Sequence, residues 1–290
     1  MNRPPKTILH LVFLRFQRHR PALVSVFVLL VVVGLSFGTP YFVSEGDANQ
    51  LVMSEQLNPP SFAHPFGTDD IGRDIFKRAM FGGRISLRIG FVAALLSITI
   101  GVTVGATAGF NSGWIDTVLM RFTDALLSIP PLFILIVFQQ VIGRYFVGQS
   151  IAVITVVIGA LSWPGVSRII RANVLSLKEQ DFVLAARAAG VHSGMIIYRH
   201  IVPNTVAPAI VAATLGVGNA IIAEASLGFL GLGVQPPTAT WGTMLIRAQS
   251  FLVDAPWIAI FPGVLILITV LCVNFIGDGL RDAFDPRVIL

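Results

Sequence analysis

Six apolar stretches, at residues 22–43, 87–110, 118–142, 151–166, 206–223 and 257–276, constrain this chain more than any other feature of it. Runs of this kind, nearly free of charge, are stable in lipid rather than in water. Hydrocarbon offers no partner to a backbone N–H or C=O, so each run is predicted to be a helix that satisfies its own backbone. Composition agrees, with 54% hydrophobic and only 12% charged residues, where soluble domains carry about 25% charged residues. The mean hydropathy is +0.80. The expected fold is therefore an all-α polytopic membrane protein with six transmembrane helices.

Several function classes fall away on residue chemistry. A net charge of +5 and a pI near 10.0 suit nucleic acid in principle, but the basic residues are dispersed beside apolar segments, where they set orientation instead. The single cysteine, Cys272, lies inside an apolar run, so neither an internal disulfide nor a thiolate metal site is expected. The five His residues show no ligand spacing, and the acidic residues near Asp69 lack the spacing of a calcium loop. Direct use of ATP requires a Gly-rich loop ending in Gly-Lys-Ser or Gly-Lys-Thr. Only Lys6, Lys77 and Lys178 are present, and none follows a glycine. There is no HExxH, and no GxSxG nucleophile elbow with a His partner. No catalytic residue, cofactor or metal is expected in this chain, and any nucleotide hydrolysis belongs to a partner.

Taken in order, residues 1–21 read as a juxtamembrane segment: Arg3, Lys6, Arg15, Arg18 and Arg20 accompany Ile8, Leu11, Val12 and Phe16 at interfacial-helix spacing. The run at 22–43 is long for a signal-peptide core and lacks a small-residue cleavage site, which makes it an uncleaved first span. In the loop at 44–86, Thr68 ahead of Asp69 and Asp70 predicts a surface helix carrying Ile71, Ile75 and Ala79 and ending at Gly82-Gly83. The remaining residues, 87–290, form the main membrane domain. Its first helix has Gly101, Gly105 and Gly109 at four-residue intervals, the pattern that brings helix backbones close in lipid. In the third span Pro130-Pro131 predicts a bend, and Asp124 is expected to pair with Arg121. The fourth span is short and bent at Pro164. Along the fifth, Pro208, Ala212, Gly216, Ala220 and Glu224 share one line, leaving Glu224 to line a path, cap the next turn or rest on loop donors. Residues 226–241 are too rich in Gly and Pro for a continuous helix and read as a folded outer loop or re-entrant segment. The tail at 277–287 is short and polar.

One polar island interrupts the apolar pattern, SLKEQDFVLAARAAGVHSGMIIYRHIVPN at residues 176–204. Ser176 and Glu179 have capping-box spacing and predict a helix start. Phe182, Ala185, Ala186 and Ala189 then fall on one shallow face, and Gly190 is placed to end the helix. Ser193 is expected to cap a second short helix through His200, stopped by Pro203.

In that island, Ala185, Ala186, Gly190, Ile201 and Pro203 match the Ala-Ala, Gly and Ile-x-Pro positions of the cytoplasmic coupling loop of ABC importer permeases. Leu184 stands where that family often has Glu. HPFGTDDIGRDIF at residues 64–76, SLGFLGLG followed by PP and WG from Ser226, and NFIGDGLRDAFDPR from Asn274 resemble the second permease of dipeptide and oligopeptide importers. The resemblance spans residues 64 to 287 in order.

It implies the type I ABC importer fold and a heterodimer with a homologous permease. It further implies two ATPase subunits, carrying ATP and Mg, that dock on the coupling loops, and an external binding protein that delivers peptide, nickel or glutathione. The coupling set is then Ala185, Ala186, Gly190, Ile201 and Pro203, with Asp124 and Glu224 as pathway or packing residues. Six spans put both termini on one side, and the positive-inside rule makes the side bearing most of the Lys and Arg cytoplasmic. The minority on the other side is Arg73, Lys77, Arg78, Arg84, Arg88, Arg144 and Arg247, five of them crowded at 73–88, close to the start of the second span. A secondary transporter, the rival class, calls for inverted repeats or mid-membrane charges, and the sequence offers neither.

Overall fold

The computed structural model describes residues 8–146 and 148–284. Arg3, Lys6 and residues 285–287 of the tail lie outside the described residues. The helices are α1 (Ile8–Phe16), α2 (Arg20–Gly38), α3 (Glu45–Ala48), α4 (Ile75–Asn111), α5 (Gly113–Ser128), α6 (Pro131–Gly143), α7 (Ser150–Leu161), α8 (Trp163–Leu177), α9 (Asp181–Ala188), α10 (Ser193–Ile196), α11 (Val202–Asn204), α12 (Val206–Phe229), α13 (Trp241–Met244) and α14 (Trp257–Phe284). Among the described residues the only strand-like pairing is an isolated bridge between Thr68 and Asp74. Among the described residues five helical units are long and apolar enough to cross a membrane, and the bent pair α5–α6, taken as one span, brings the number to six.

The central helix is α4. Its 37 residues extend about 55 Å, well beyond the roughly 30 Å of a hydrocarbon core. It begins where the Asp74 carboxylate accepts the Lys77 N–H at 2.9 Å, so Asp74 is the cap and Thr68 is not. The expected surface helix at 68–83 is absent. Thr68 is instead buried in a folded loop, its hydroxyl bonded to the Glu55 carbonyl. Gly82-Gly83 does not stop the helix either. A Cβ on Gly83 would stand 2.7 Å from the Trp241 ring, and one on Gly82 3.2 Å from the Thr240 backbone, so this pair makes room for a neighbour instead of a turn.

Further along α4, the predicted glycine seam packs against α8. Added Cβ atoms would lie 2.6 Å from Val166 at Gly101, 2.5 Å from the Ser167 carbonyl at Gly105 and 2.9 Å from Val174 at Gly109. In lipid no hydrophobic effect pulls helices together, so this backbone proximity supplies the packing contacts. The third span breaks by 92° between α5 and α6. Ile129 and Pro130 are extended there, as a residue ahead of proline prefers. The fourth span is longer than its apolar run: α7 and α8 meet at Ser162, Pro164 sits in the first turn of α8, and together they cover 28 residues. Likewise α14 runs on through the expected polar tail to Phe284. There a Cβ on Gly279 would lie 2.6 Å from Ala22 and 3.2 Å from Phe16, so the N-terminal segment packs on the end of α14.

The two ends of α4 are finished differently. Around its start, the loop at 44–74 and the segment at 230–256 form a cap. Trp241 is fully buried there and donates its indole N–H to the Ala79 carbonyl at 2.8 Å. Phe66 stacks on Phe261 with centroids 4.0 Å apart. His64 bridges Asp74 at 2.8 Å and Glu55 at 3.3 Å. Within 226–241 the first four residues continue α12 and the rest is a folded loop. At the far end of α4 lies the polar island.

Candidate coupling surface

Helix α8 continues through Ser176 to Leu177, so Ser176 is a last-turn residue and not a cap. The turn that follows is fastened by Lys178, whose ammonium donates to the Ser112 hydroxyl at 2.7 Å. Gln180 takes the N-cap position of α9 with extended backbone and no side-chain bond. Asp181 and Arg187 occupy the first and last turns, the arrangement the helix dipole favours.

Gly190 stands where the helix of small residues requires it. Its φ is +76°, its N–H donates to the Arg187 carbonyl at 2.9 Å, and the Val191 N–H donates to the Ala186 carbonyl at 3.1 Å. Those two bonds are the Schellman pair that closes a helix on a left-handed residue. The cap of the next helix is His192, whose Nδ1 accepts the Gly194 N–H at 3.2 Å, and not Ser193. Nor does Pro203 stop the chain. Residues Ile197–Ile201 widen into a π turn, and Pro203 enters the first turn of α11, where its missing N–H costs nothing. Thr205 then hands the chain to α12.

The predicted face divides into an underside and an outer side. Val183, Ile196 and Ile201 are buried with Ala106, Phe110, Ile170 and Val174, and Ala186 packs against that cluster. Of the resemblance-based set, Ile201 and Ala186 therefore belong to the underside, while Ala185, Gly190 and Pro203 are exposed. Ala186 does not share an open face with Phe182, Ala185 and Ala189. Beside the exposed members, Phe182, Leu184, Met195 and Tyr198 present large apolar side chains outward, Tyr198 at 77% exposure. Sequence periodicity placed Phe182 on this face but passed over Leu184, Met195 and Tyr198 because it followed alanine spacing; their signal was being large and apolar out of phase with Val183, Ile196 and Ile201.

Polar contacts tie this platform to the membrane helices. The Arg171 guanidinium grips Asp116 with two bonds of 2.5 and 2.6 Å, joining α8 to α5. The Arg187 guanidinium lies 4.7 Å from the Phe110 ring centroid. Asp124 pairs with Arg168 of α8 and not with Arg121, because α5 lies along α8. Both partners are about half exposed, so the pair adds little stability. Glu224 sits far from the platform and fully buried. Its Oε2 accepts the Ser86 hydroxyl at 2.9 Å, and the same hydroxyl oxygen accepts the Trp241 N–H at 3.2 Å. Its partners are side chains, the Ser86 hydroxyl of α4 and Thr240 of the cap, not loop backbone donors, and it stands in the packing between α12, α4 and the cap.

A family described as the inner membrane component of binding-protein-dependent transport systems matches residues 101–290. A putative peptide permease protein of Brucella suis biovar 1 is 42% identical over 278 residues, covering 95% of this chain and 90% of that one. The dipeptide transport system permease protein of Alkalihalophilus pseudofirmus is 40% identical over 276 residues, 95% and 89% of the two chains. The glutathione transport system permease protein of an Escherichia coli O6:K15:H31 strain is 41% identical over 285 residues, 98% and 92%. In fold, a chain of the MetNI methionine ABC transporter in an inward-facing crystal form aligns with a TM-score of 0.56 at 20% identity, over 72% of this chain and 97% of that one. The architecture is that of type I ABC importer permeases, and the chain belongs to the family of binding-protein-dependent transport system inner membrane components.

Proposed function

We propose that this chain is one permease subunit of an ATP-driven peptide importer, that it lines half of the translocation path, and that it couples to a separate ATPase subunit through residues 176–204. One observation carries the reading: the platform has a buried underside welded to α4 and α8 and an outer side left apolar by Phe182, Leu184, Met195 and Tyr198. An apolar outer side on a polar end of the molecule fits a protein partner. Ala185, Gly190 and Pro203 contribute contact surface, and Ala186 and Ile201 hold that surface in place. ATP and Mg reside on two ATPase partners, whose closure pushes the platform. Through Ile201, Val183 and the glycine seam the push moves α4 and α8 together.

The remaining partners are a homologous permease and an external binding protein, and the membrane is the bacterial inner membrane with both termini cytoplasmic. Peptide is the favoured cargo because relatives of about 40% identity over nearly the whole chain bear peptide and dipeptide names. The glutathione relative supports a second reading within the same chemistry, since glutathione is itself a small peptide. The test is uptake of labelled dipeptide and labelled glutathione by proteoliposomes holding the assembled complex and its binding protein. Uptake is expected only with internal ATP and the ATPase chains present. Uptake driven by an ion gradient without them would identify a secondary transporter.

A further inference from the structure

The basic residues of the minority side find different fates. Arg73 pairs with Asp69 at 2.6 Å, Arg247 with Asp70, and Arg78 bonds to Asn49. Arg84 and Arg88, one turn apart on α4, have no carboxylate partner among the described residues. They line a cavity of about 600 Å³ completed by Phe37, Gly38, Pro40 and Tyr41 at the end of α2. The Arg88 guanidinium lies 5.3 Å from the Phe37 ring centroid. Arg84 Nε is enclosed and lacks an acceptor.

The height of this cavity is informative. The apolar part of α2 ends at its rim, and the charge-free part of α4 begins at Ile89, immediately after Arg88. Tyr41 and Phe42 are 87% and 89% exposed beside it, where aromatic side chains gather at a membrane boundary. Two guanidiniums at headgroup level present forked donors that match phosphate oxygens. Toward the membrane interior α2 and α4 expose Leu35 and Phe91, an apolar track for an acyl chain that a free anion would not need.

We propose that Arg84, Arg88 and the aromatic rim of α2 form a binding site for the phosphate of an anionic glycerophospholipid, in the leaflet at the end of the molecule that carries residues 39–74. A zwitterionic headgroup brings its own cation toward the two arginines and is disfavoured. The site is independent of what the chain transports.

Native mass spectrometry of the full-length chain purified in detergent tests this with three probes: phosphatidylglycerol, phosphatidylcholine and glycerol 3-phosphate. Phosphatidylglycerol is expected to stay bound at least tenfold more than phosphatidylcholine, and R84Q/R88Q to weaken it roughly thirtyfold, on the scale of two interfacial arginines. R84K/R88K should retain most of the binding, and R144Q, an exposed arginine near the cap, should change nothing. Equal retention of the two lipids, or unchanged binding in R84Q/R88Q, overturns the proposal. Displacement of the lipid by glycerol 3-phosphate makes this a free-anion site and overturns it as well. If R84Q/R88Q does not fold, the comparison of the two lipids on the wild-type chain decides alone.

Discussion

The cap and the platform terminate the same long helix, and they are built on opposite plans. Around the start of α4, charged groups meet within the chain: His64 with Asp74 and Glu55, Asp69 with Arg73, Asp70 with Arg247. Its largest side chain, Trp241, is wholly enclosed. At the other end, the platform rests on an apolar underside and leaves Phe182, Leu184, Met195 and Tyr198 uncovered. The cap also turns large apolar side chains outward, Phe62, Met53, Leu252 and Val253 among them, so what sets the two ends apart is what lies beneath: paired charges under one, and an apolar cluster that fastens a small helical hairpin to α4 and α8 under the other. The difference teaches that one helix can be finished by internal pairing of charges at one end and by an apolar seat for a hairpin at the other, and the proposed coupling rests on the second.

Topology offers the sharpest way to break that comparison, since its outcome is all or none. In a Cys272→Ala background, single cysteines at the exposed positions Ser54, in the cap loop, and Ser193, in the platform, are treated in intact cells with an impermeant maleimide. Labelling at 54 and not at 193 is expected; the reverse would put the platform outside, away from any ATPase. Next in size is Trp241→Ala, which opens a large cavity and removes the bond to Ala79. A loss of about 3–5 kcal/mol should appear as a lower melting temperature in detergent and poor accumulation.

Within the platform, Ile201→Ala on the underside should cost about 2–4 kcal/mol, while Met195→Ala on the outer side should stay within about 0.5 kcal/mol. In the assembled complex the ranking inverts in meaning: Met195→Ala keeps the fold and lowers ATPase coupling. Equal destabilisation by both would erase the distinction between the two sides. A small effect on stability, with none expected on coupling, belongs to Arg168→Gln, which breaks a half-exposed pair with Asp124 and should cost less than about 1 kcal/mol. A larger loss would give that pair a role that its exposure does not explain.

Much of this was legible in the chain because it rests on local periodicity. Apolar runs located the spans, the spacing of Gly101, Gly105 and Gly109 located a close helix contact, that of α4 with α8, and Gly190 marked the end of α9. What escaped was set by residues distant in sequence. Ser176 and Glu179 have the spacing of a cap, but α8 runs past Ser176 to Leu177, and the turn holding Glu179 is fastened by Lys178, which reaches Ser112, 66 positions away. Gly82-Gly83 has the look of a stop, and only the presence of Trp241 explains it as clearance. Asp124 had a plausible neighbour in Arg121, yet its partner came from α8. Pro203 was misread because a π turn, invisible in the sequence, lets the chain pass through it. In the coupling set, spacing alone did not separate the exposed Ala185, Gly190 and Pro203 from the inward Ala186 and Ile201.

Substitution of Gly190 tests the central claim most directly. The residue holds a left-handed turn at φ +76°, and a Cβ added there meets nothing within 4 Å, so Gly190→Val disturbs no internal packing. It adds backbone strain of about 1 kcal/mol or more and bulk on the outer side of the platform. The measurement is substrate-stimulated ATP hydrolysis by the complex reconstituted with its ATPase subunits and binding protein, at matched assembly. The account predicts that Gly190→Val inserts and pairs with the second permease as the wild type does, yet loses stimulated hydrolysis and transport. Wild-type stimulation by Gly190→Val would make residues 176–204 an ordinary surface hairpin and contradict the account.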